Sequence, residues 1–265
     1  MAHEHKIAIK MSFYTPVQIA VVGAGGNGSS ILLGLPYLHQ AMRAWGHPGL
    51  QVVLIDGDRV TATNCVRQPF AQNDIGQFKS SVLVGRVNLF WGLHWEASTE
   101  FLSKKNAEEL LDRQDIVIGC VDTKSARAIL HRAFTGQKRF PEYWLDLGNR
   151  AATGQFVLGQ SSRSTAAHRL PTVAELYPEI IDTSTVEDDL PSCSAEEALQ
   201  KQEPFTNQTL AMHALAMLTQ LFRYGAINHH GGFFNARNGV VQPIPVPAPV
   251  EISVAVPGTE GQLRA

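Results

Sequence analysis

"VQIAVVGAGGNG", residues 17–28, decides the fold. A short apolar run of strand length enters a glycine turn, and "NGSSILLGLPYLHQAMRAW" (residues 27–45) leaves that turn with helical spacing of its apolar residues. An apolar run without polar alternation is the mark of a strand buried on both faces, as in a parallel sheet. Strand, glycine turn and helix together open a βαβ unit. The glycines Gly23, Gly25, Gly26 and Gly28 fit G-x-G-x-x-G in its proper context, where backbone N–H groups approach a phosphate at a helix N-terminus. Alone, the turn also suits an NAD-linked oxidoreductase, a nucleotide-sensing module or a ligand-free corner.

Outward from this turn the alternation continues. "LQVVLID" (residues 50–56) reads as a second strand, "GQFKSSVLVGRVNLFWG" (residues 76–92) as a helix facing a sheet, "EASTEFL" (residues 96–102) as a short strand, "NAEELLDR" (residues 106–113) as a short helix, and "DIVIGCVD" (residues 115–122) as a further buried strand. Strands alternating with helices predict a Rossmann-like, doubly wound, mostly parallel α/β sheet with right-handed crossovers. Past residue 130 the texture changes. "PEYWLDLGN" and "ATGQFVLGQ" predict a strand pair, residues 160–205 are irregular, and "NQTLAMHALAMLTQLFRYG" (residues 207–225) is a helix with Asn207 as cap and Gly225 as stop. The tail "VVQPIPVPAPVEISVAVP" is expected to be extended and to add an edge strand. The expected organisation is one domain over residues 1–265. A nucleotide-binding core occupies residues 17–135, an irregular crossover carrying a cysteine occupies residues 160–205, and a Pro-rich tail occupies residues 240–265.

Bulk properties narrow the function. The chain has 265 residues, 44% hydrophobic and 17% charged, with a net charge of -2. Such a balance supplies no field for wrapping nucleic acid. The apolar runs are far shorter than a membrane span. The N-terminal stretch lacks an apolar signal core, which predicts a cytoplasmic protein. Three separated cysteines, Cys65, Cys120 and Cys193, argue against a disulfide framework, and the lack of CxxC argues against structural zinc. The ten histidines form no ligand-spaced set.

The discriminating stretch is "IDGDRVTATNCVRQ" (residues 55–68). Asp56 at a strand end suits ribose hydroxyls, although it lies 28 positions after Gly28 where about 20 is usual, which predicts a lengthened first helix and loop. Arg67 and Lys79 have no use in a dinucleotide site. A triphosphate needs both, because cations must neutralise it and strengthen as charge develops at phosphorus. Asp122, closing the strand "DIVIGCVD", is then a natural ligand for Mg²⁺. These residues predict a pocket for ATP and Mg²⁺.

"DGDRVTATNCVRQ", then "DIGQFKS", then "IVIGCVDTKSAR" resemble the ubiquitin-activating-enzyme superfamily of the ThiF and MoeB type. The ordered pattern comprises Gly23, Gly25 and Gly28, Asp56 and Asp58, Asn64, Arg67 and Gln68, Lys79, and Asp122. More narrowly, "DDLPSCSAEEALQKQEPFTNQTLA" resembles the ThiF-family proteins of plasmid-associated PRTRC systems, which also encode a ubiquitin-like protein. The resemblance implies adenylation of the C-terminal glycine of a ubiquitin-like or sulfur-carrier protein. It assigns the ribose to Asp56, the phosphates to Arg67 and Lys79, Mg²⁺ to Asp122, and nucleotide orientation to Asn64 and Gln68. It places Cys193, in "LPSCSAEEAL", as a thiol able to form a thioester. It sets Asn149 and Arg150 along the substrate groove, and the acidic stretch at residues 172–192 over the substrate's tail. A conjugating-enzyme-like partner and a homodimer are both left open. The chain departs from the pattern at Thr123, where Asn is usual, and in having no Arg in its first sixteen residues.

Overall fold

A computed structural model of the chain describes residues 3–9, 11–135, 141–164, 166, 169–184 and 203–248. Cys193, most of the acidic stretch beyond Ser184, and the tail from residue 249 lie outside the described residues.

The strands are β1 (His5–Lys6), β2 (Val17–Val22), β3 (Leu50–Ile55), β4 (Glu96–Ser98), β5 (Ile116–Gly119), β6 (Tyr143–Asn149), β7 (Thr153–Gln160), β8 (Ala226–Ile227), β9 (His229–Asn235) and β10 (Val240–Pro245). The helices are α1 (Gly26–Ala44), α2 (Asn64–Arg67), α3 (Lys79–Trp91), α4 (Ala107–Leu111), α5 (Lys124–Thr135), α6 (Val173–Leu176) and α7 (Thr206–Tyr224). The main sheet runs β10-β9-β7-β6-β5-β2-β3-β4. Neighbours from β4 through β6 are parallel, and β6, β7, β9 and β10 pair antiparallel. The Rossmann-like sheet with antiparallel C-terminal strands is as the sequence predicts.

Alternation along β2 divides two cores, since successive side chains of a strand point to opposite faces. Ile19 and Val21 join Ile31, Leu35, Leu83, Leu218 and Leu221 under α1, α3 and α7. Ala20 and Val22 join Leu111, Leu130, Phe134, Trp144 and Val173 under α4, α5 and α6. Helix α1 is long, with 19 residues, which accounts for the late position of Asp56. Helix α7 packs along α1 and stops at Gly225, whose φ of 72° is left-handed.

Two expectations change in detail. Asn207 is not the cap of α7: that position is Phe205, at a φ of 68°. Asn207 instead lies in the first turn, 4% exposed. Asp122 does not close its strand but stands three residues beyond the end of β5. Within the acidic stretch, Leu176, Tyr177, Ile180 and Ile181 are partly buried and pack against the core beneath α5, an arrangement the sequence reading does not specify. Among the described residues, no helix is long and apolar enough to cross a membrane.

Candidate active site

The register of the parallel strands sets the site. Val22 is level with Ile55 on one side and Gly119 on the other. The next residues, Gly23, Asp56 and Cys120, therefore emerge side by side at the carboxyl edge, where open α/β sheets bind ligands. Gly23 turns the chain with a φ of +96°, and a Cβ there would lie 2.8 Å from the Cys120 carbonyl oxygen. A Cβ on Gly28 would collide with the Gly23 carbonyl oxygen, and one on Gly26 with the Asn207 side chain. Gly25 has nothing within 4 Å of where its Cβ would stand. The turn is thus packed on three sides and open at Gly25, with the N-terminal amides of α1 beside the opening. No side chain caps that helix end, and it forms a seat for an anion.

Asp56 braces the turn. Its Oδ2 accepts from Ala24 N–H at 2.5 Å and its Oδ1 from Asp58 N–H at 2.8 Å. Burial pushes its carboxyl above the usual range, against the pull of these N–H bonds and of the Lys79 ammonium. Lys79 begins α3 and is 8% exposed. Its Nζ pairs with Asp58 Oδ2 at 2.9 Å, and the neighbouring Ser80 hydroxyl donates to the Asp56 carbonyl at 3.0 Å. Arg67, half-buried on α2, is pulled below its ordinary value by burial, while the Asp122 carboxylate acts in the other direction. The Asp122 carboxylate thus lies within electrostatic reach of Arg67. Gln68 Oε1 is buried without a hydrogen-bond partner among the described residues. Asn64 Oδ1 accepts from both the N–H and the hydroxyl of Thr61, holding the turn into α2.

The fold thus gathers Gly23, Gly25, Gly26, Gly28, Asp56, Asp58 and Lys79 into one bonded unit, and Arg67 and Asp122 act on one another electrostatically. Cys193 lies outside the described residues. Asn149 does reach the site: its Oδ1 accepts from Asn27 Nδ2 at 2.9 Å, across the start of α1. Two further contributors lack a sequence signal of their own: Asn27 is an ordinary filler of the glycine motif, and Asn207 reads as a cap. Thr123, the departure from the expected Asn, accepts from Ala126 N–H at 3.2 Å in the first turn of α5, a capping role.

For a divalent cation, no group of three His, Cys, Asp or Glu side chains stands close enough among the described residues. The exposed carboxylate of Asp122 fits a site completed by phosphate oxygens, the usual habit of Mg²⁺. Burial, foremost, pushes the Cys120 thiol far up and makes it inert. A cleft of about 160 Å³, lined by Phe156, His213, Met217, His229 and Gly231 among others, lies between α7 and β9–β10. Three strands separate β9 from β2, so this cleft is not the glycine-turn site.

Among solved structures the chain is similar to PaaA, at 18% identity over 87% of this chain and 64% of that one, with a TM-score of 0.59. It is also similar to MccB of E. coli, at 15% identity over 90% of this chain and 67% of that one, with a TM-score of 0.58. These likenesses establish the shared fold, and the chain spans less than two thirds of the length of PaaA. No curated protein matches it by sequence. The ThiF family model matches residues 14–242, and the chain belongs to the ThiF family.

Proposed function

We propose that the chain uses ATP to adenylate the C-terminal glycine of a ubiquitin-like protein, and that Cys193 then takes the acyl group as a thioester. The observation that carries this reading is the convergence of an open glycine turn, Asp56 and Lys79 at one sheet edge, with Arg67 and Asp122 in electrostatic reach of each other. Phosphates fit at Gly25, beside the α1 amides. In this reading Asp56 takes the ribose hydroxyls, and the buried Gln68 oxygen offers an acceptor to a nucleotide donor. Binding a polyphosphate offers Lys79 a new partner in competition with Asp58. Asp122 would hold Mg²⁺, which would supply charge neutralisation at the phosphates. The fold shared with MccB has been crystallised in that protein with AMPCPP and MccA.

In the reaction a carboxylate oxygen of the partner bonds to the α-phosphorus, and the bond from that phosphorus to its bridging oxygen breaks. Pyrophosphate leaves and an acyl-adenylate forms. Arg67 and Lys79 stabilise the charge that grows on the phosphate oxygens. The Cys193 thiolate then attacks the acyl carbon and releases AMP.

The test is ATP–pyrophosphate exchange with the partner protein, on wild type and Cys193→Ala, beside a non-reducing gel. Exchange in both, with a thiol-sensitive band in wild type alone, supports both steps. Exchange without a band retires Cys193 to structure. No exchange with any Gly-terminated ubiquitin-like protein sinks the substrate assignment.

A further inference from the structure

We propose that Arg127, anchored by the buried carboxylate of Asp146, is a positioning residue that fixes the loop carrying Asp122 at the nucleotide site. The proposal rests on the ATP and Mg²⁺ reading above and assigns a role to two charged residues that reading leaves unused.

Asp146 lies in β6 and is 0% exposed. Its neighbour across the parallel ladder is Gly119, the last residue of β5. A Cβ on Gly119 would stand 3.3 Å from Asp146 Oδ1 and 2.8 Å from Trp144 Nε1, so a glycine there leaves the carboxylate its room. The partner is Arg127, one turn into α5. Its Nε donates to Asp146 Oδ1 at 3.3 Å and Oδ2 at 3.4 Å. Its Nη1 reaches the Asp122 carbonyl oxygen at 3.4 Å, and its backbone N–H reaches the Thr123 carbonyl at 3.2 Å. One guanidinium thus spans from the interior of β6 to the backbone of Asp122, the residue whose carboxylate acts electrostatically on Arg67.

A buried ion pair is a weak device for stability alone, because apolar residues of the same volume are often as good or better. What it does well is direction: a planar guanidinium holds several acceptors in a fixed fork. With the Asp122 carbonyl held by Arg127, the exposed carboxylate of the same residue is left to solvent within electrostatic reach of Arg67. The charges alternate along this path as acid, base, acid, base, from Asp146 through Arg127 and Asp122 to Arg67. Removing Arg127 frees the Asp122 loop without touching the glycine turn, Asp56 or Lys79.

The experiment is equilibrium binding of ATP to the full chain, with and without Mg²⁺, beside thermal melts. Four proteins are compared: wild type, Asp122→Asn, Arg127→Gln and the double variant. Wild type should bind more tightly with Mg²⁺, and Asp122→Asn should lose that gain. Arg127→Gln should lose about tenfold of it, as when the residue supporting a metal ligand is removed. Metal-free affinity should stay within about twofold, and the double variant should bind no worse than the worse single one, since residues acting through one another are not additive. Arg127→Lys, which keeps the charge but not the fork, should recover part of the gain. If Arg127→Gln melts too low to measure, Arg127→Met combined with Asp146→Leu removes the pair together and should fold without the Mg²⁺ gain. The proposal is overturned if either variant keeps the wild-type gain, or if Arg127→Gln weakens binding equally with and without metal. Wild type that fails to bind ATP overturns the underlying reading as well, a result distinct from either of these.

Discussion

The parallel and antiparallel halves of the sheet are built by different rules and carry different burdens. In the parallel half, β2 and β5 are buried on both faces, and each strand returns through a helix. Every carboxyl end therefore opens on the same edge, and Gly23, Asp56 and the Asp122 loop meet there although far apart in sequence. In the antiparallel half, short turns join β6 to β7 and β9 to β10, while α6 and α7 lie in the long connection from β7 to β9. Edge strand β10 is largely exposed and carries Pro243 and Pro245, residues suited to an unpaired rim. This half contributes none of the residues expected to touch nucleotide, and at its border stand Asn149 and Arg150, expected along the substrate groove. It meets α7, whose Asn207 lies against Gly26. Chemistry gathers where strand direction repeats, and the alternating half braces it.

The comparison breaks hardest at Gly28. Gly28→Ala forces a methyl group into the Gly23 carbonyl, and roughly 3–4 kcal/mol of stability should go with it, along with nucleotide binding. Denaturant melts and ATP titration would check this, and a variant that still binds ATP would show that the turn can open. Next comes Lys79→Ala. Its partner Asp58 is 52% exposed in its side chain, so losing the pair should cost no more than about 1 kcal/mol in a melt. Exchange should fall about 100-fold or more, because a cation aimed at the developing charge is gone. In the antiparallel half the signs should reverse. A Cβ on Gly231 meets the Phe156 carbonyl across the ladder, so Gly231→Ala should lower stability by roughly 1–3 kcal/mol. Exchange measured well below the melt should stay unchanged, and a comparable loss of exchange would deny the division between halves.

The smallest effect contrasts two acids of the site loop by pH. Asp74 accepts the Ala71 N–H, its largest influence, and pairs with Arg86, so its carboxyl sits below the usual range. Its stabilisation is present above the ordinary carboxylate value and is lost as pH falls through the depressed one. Asp56 has the opposite sign, since burial raises it: its ionisation opposes folding above the raised value, and acidification relieves that cost. In melts across pH 3 to 7, Asp74→Asn should lose stability near neutrality and flatten the acid side. Asp56→Asn should close its gap with wild type toward acid. Identical profiles would contradict the two environments.

Much of the parallel half was legible because its signals are local. Apolar runs, a glycine turn in context and strand-end acids each lie within a dozen residues. The lateness of Asp56 correctly foretold a long α1. The antiparallel half was less legible. "HHGGFFN" forms β9 although two glycines argue against a strand, and these glycines matter because the Phe156 backbone and ring approach them across the sheet. Asn207 had the composition of a cap, but the long-range approach of α7 to Gly26 determined its place. Asp146 could not be singled out, since burial of an acid is decided by the distant Arg127 and by the bare position at Gly119.

The N-terminal hook has a practical consequence. His5 is 1% exposed, and its Nε2 lies 2.7 Å from the Tyr143 hydroxyl, while Ala8 N–H donates to the same oxygen at 2.8 Å. Tyr143 opens β6, so this hook grips the amino edge of the sheet, opposite the glycine turn. An affinity handle or surface tether placed ahead of His5 would hold the molecule by its back, with the glycine-turn edge turned toward solution.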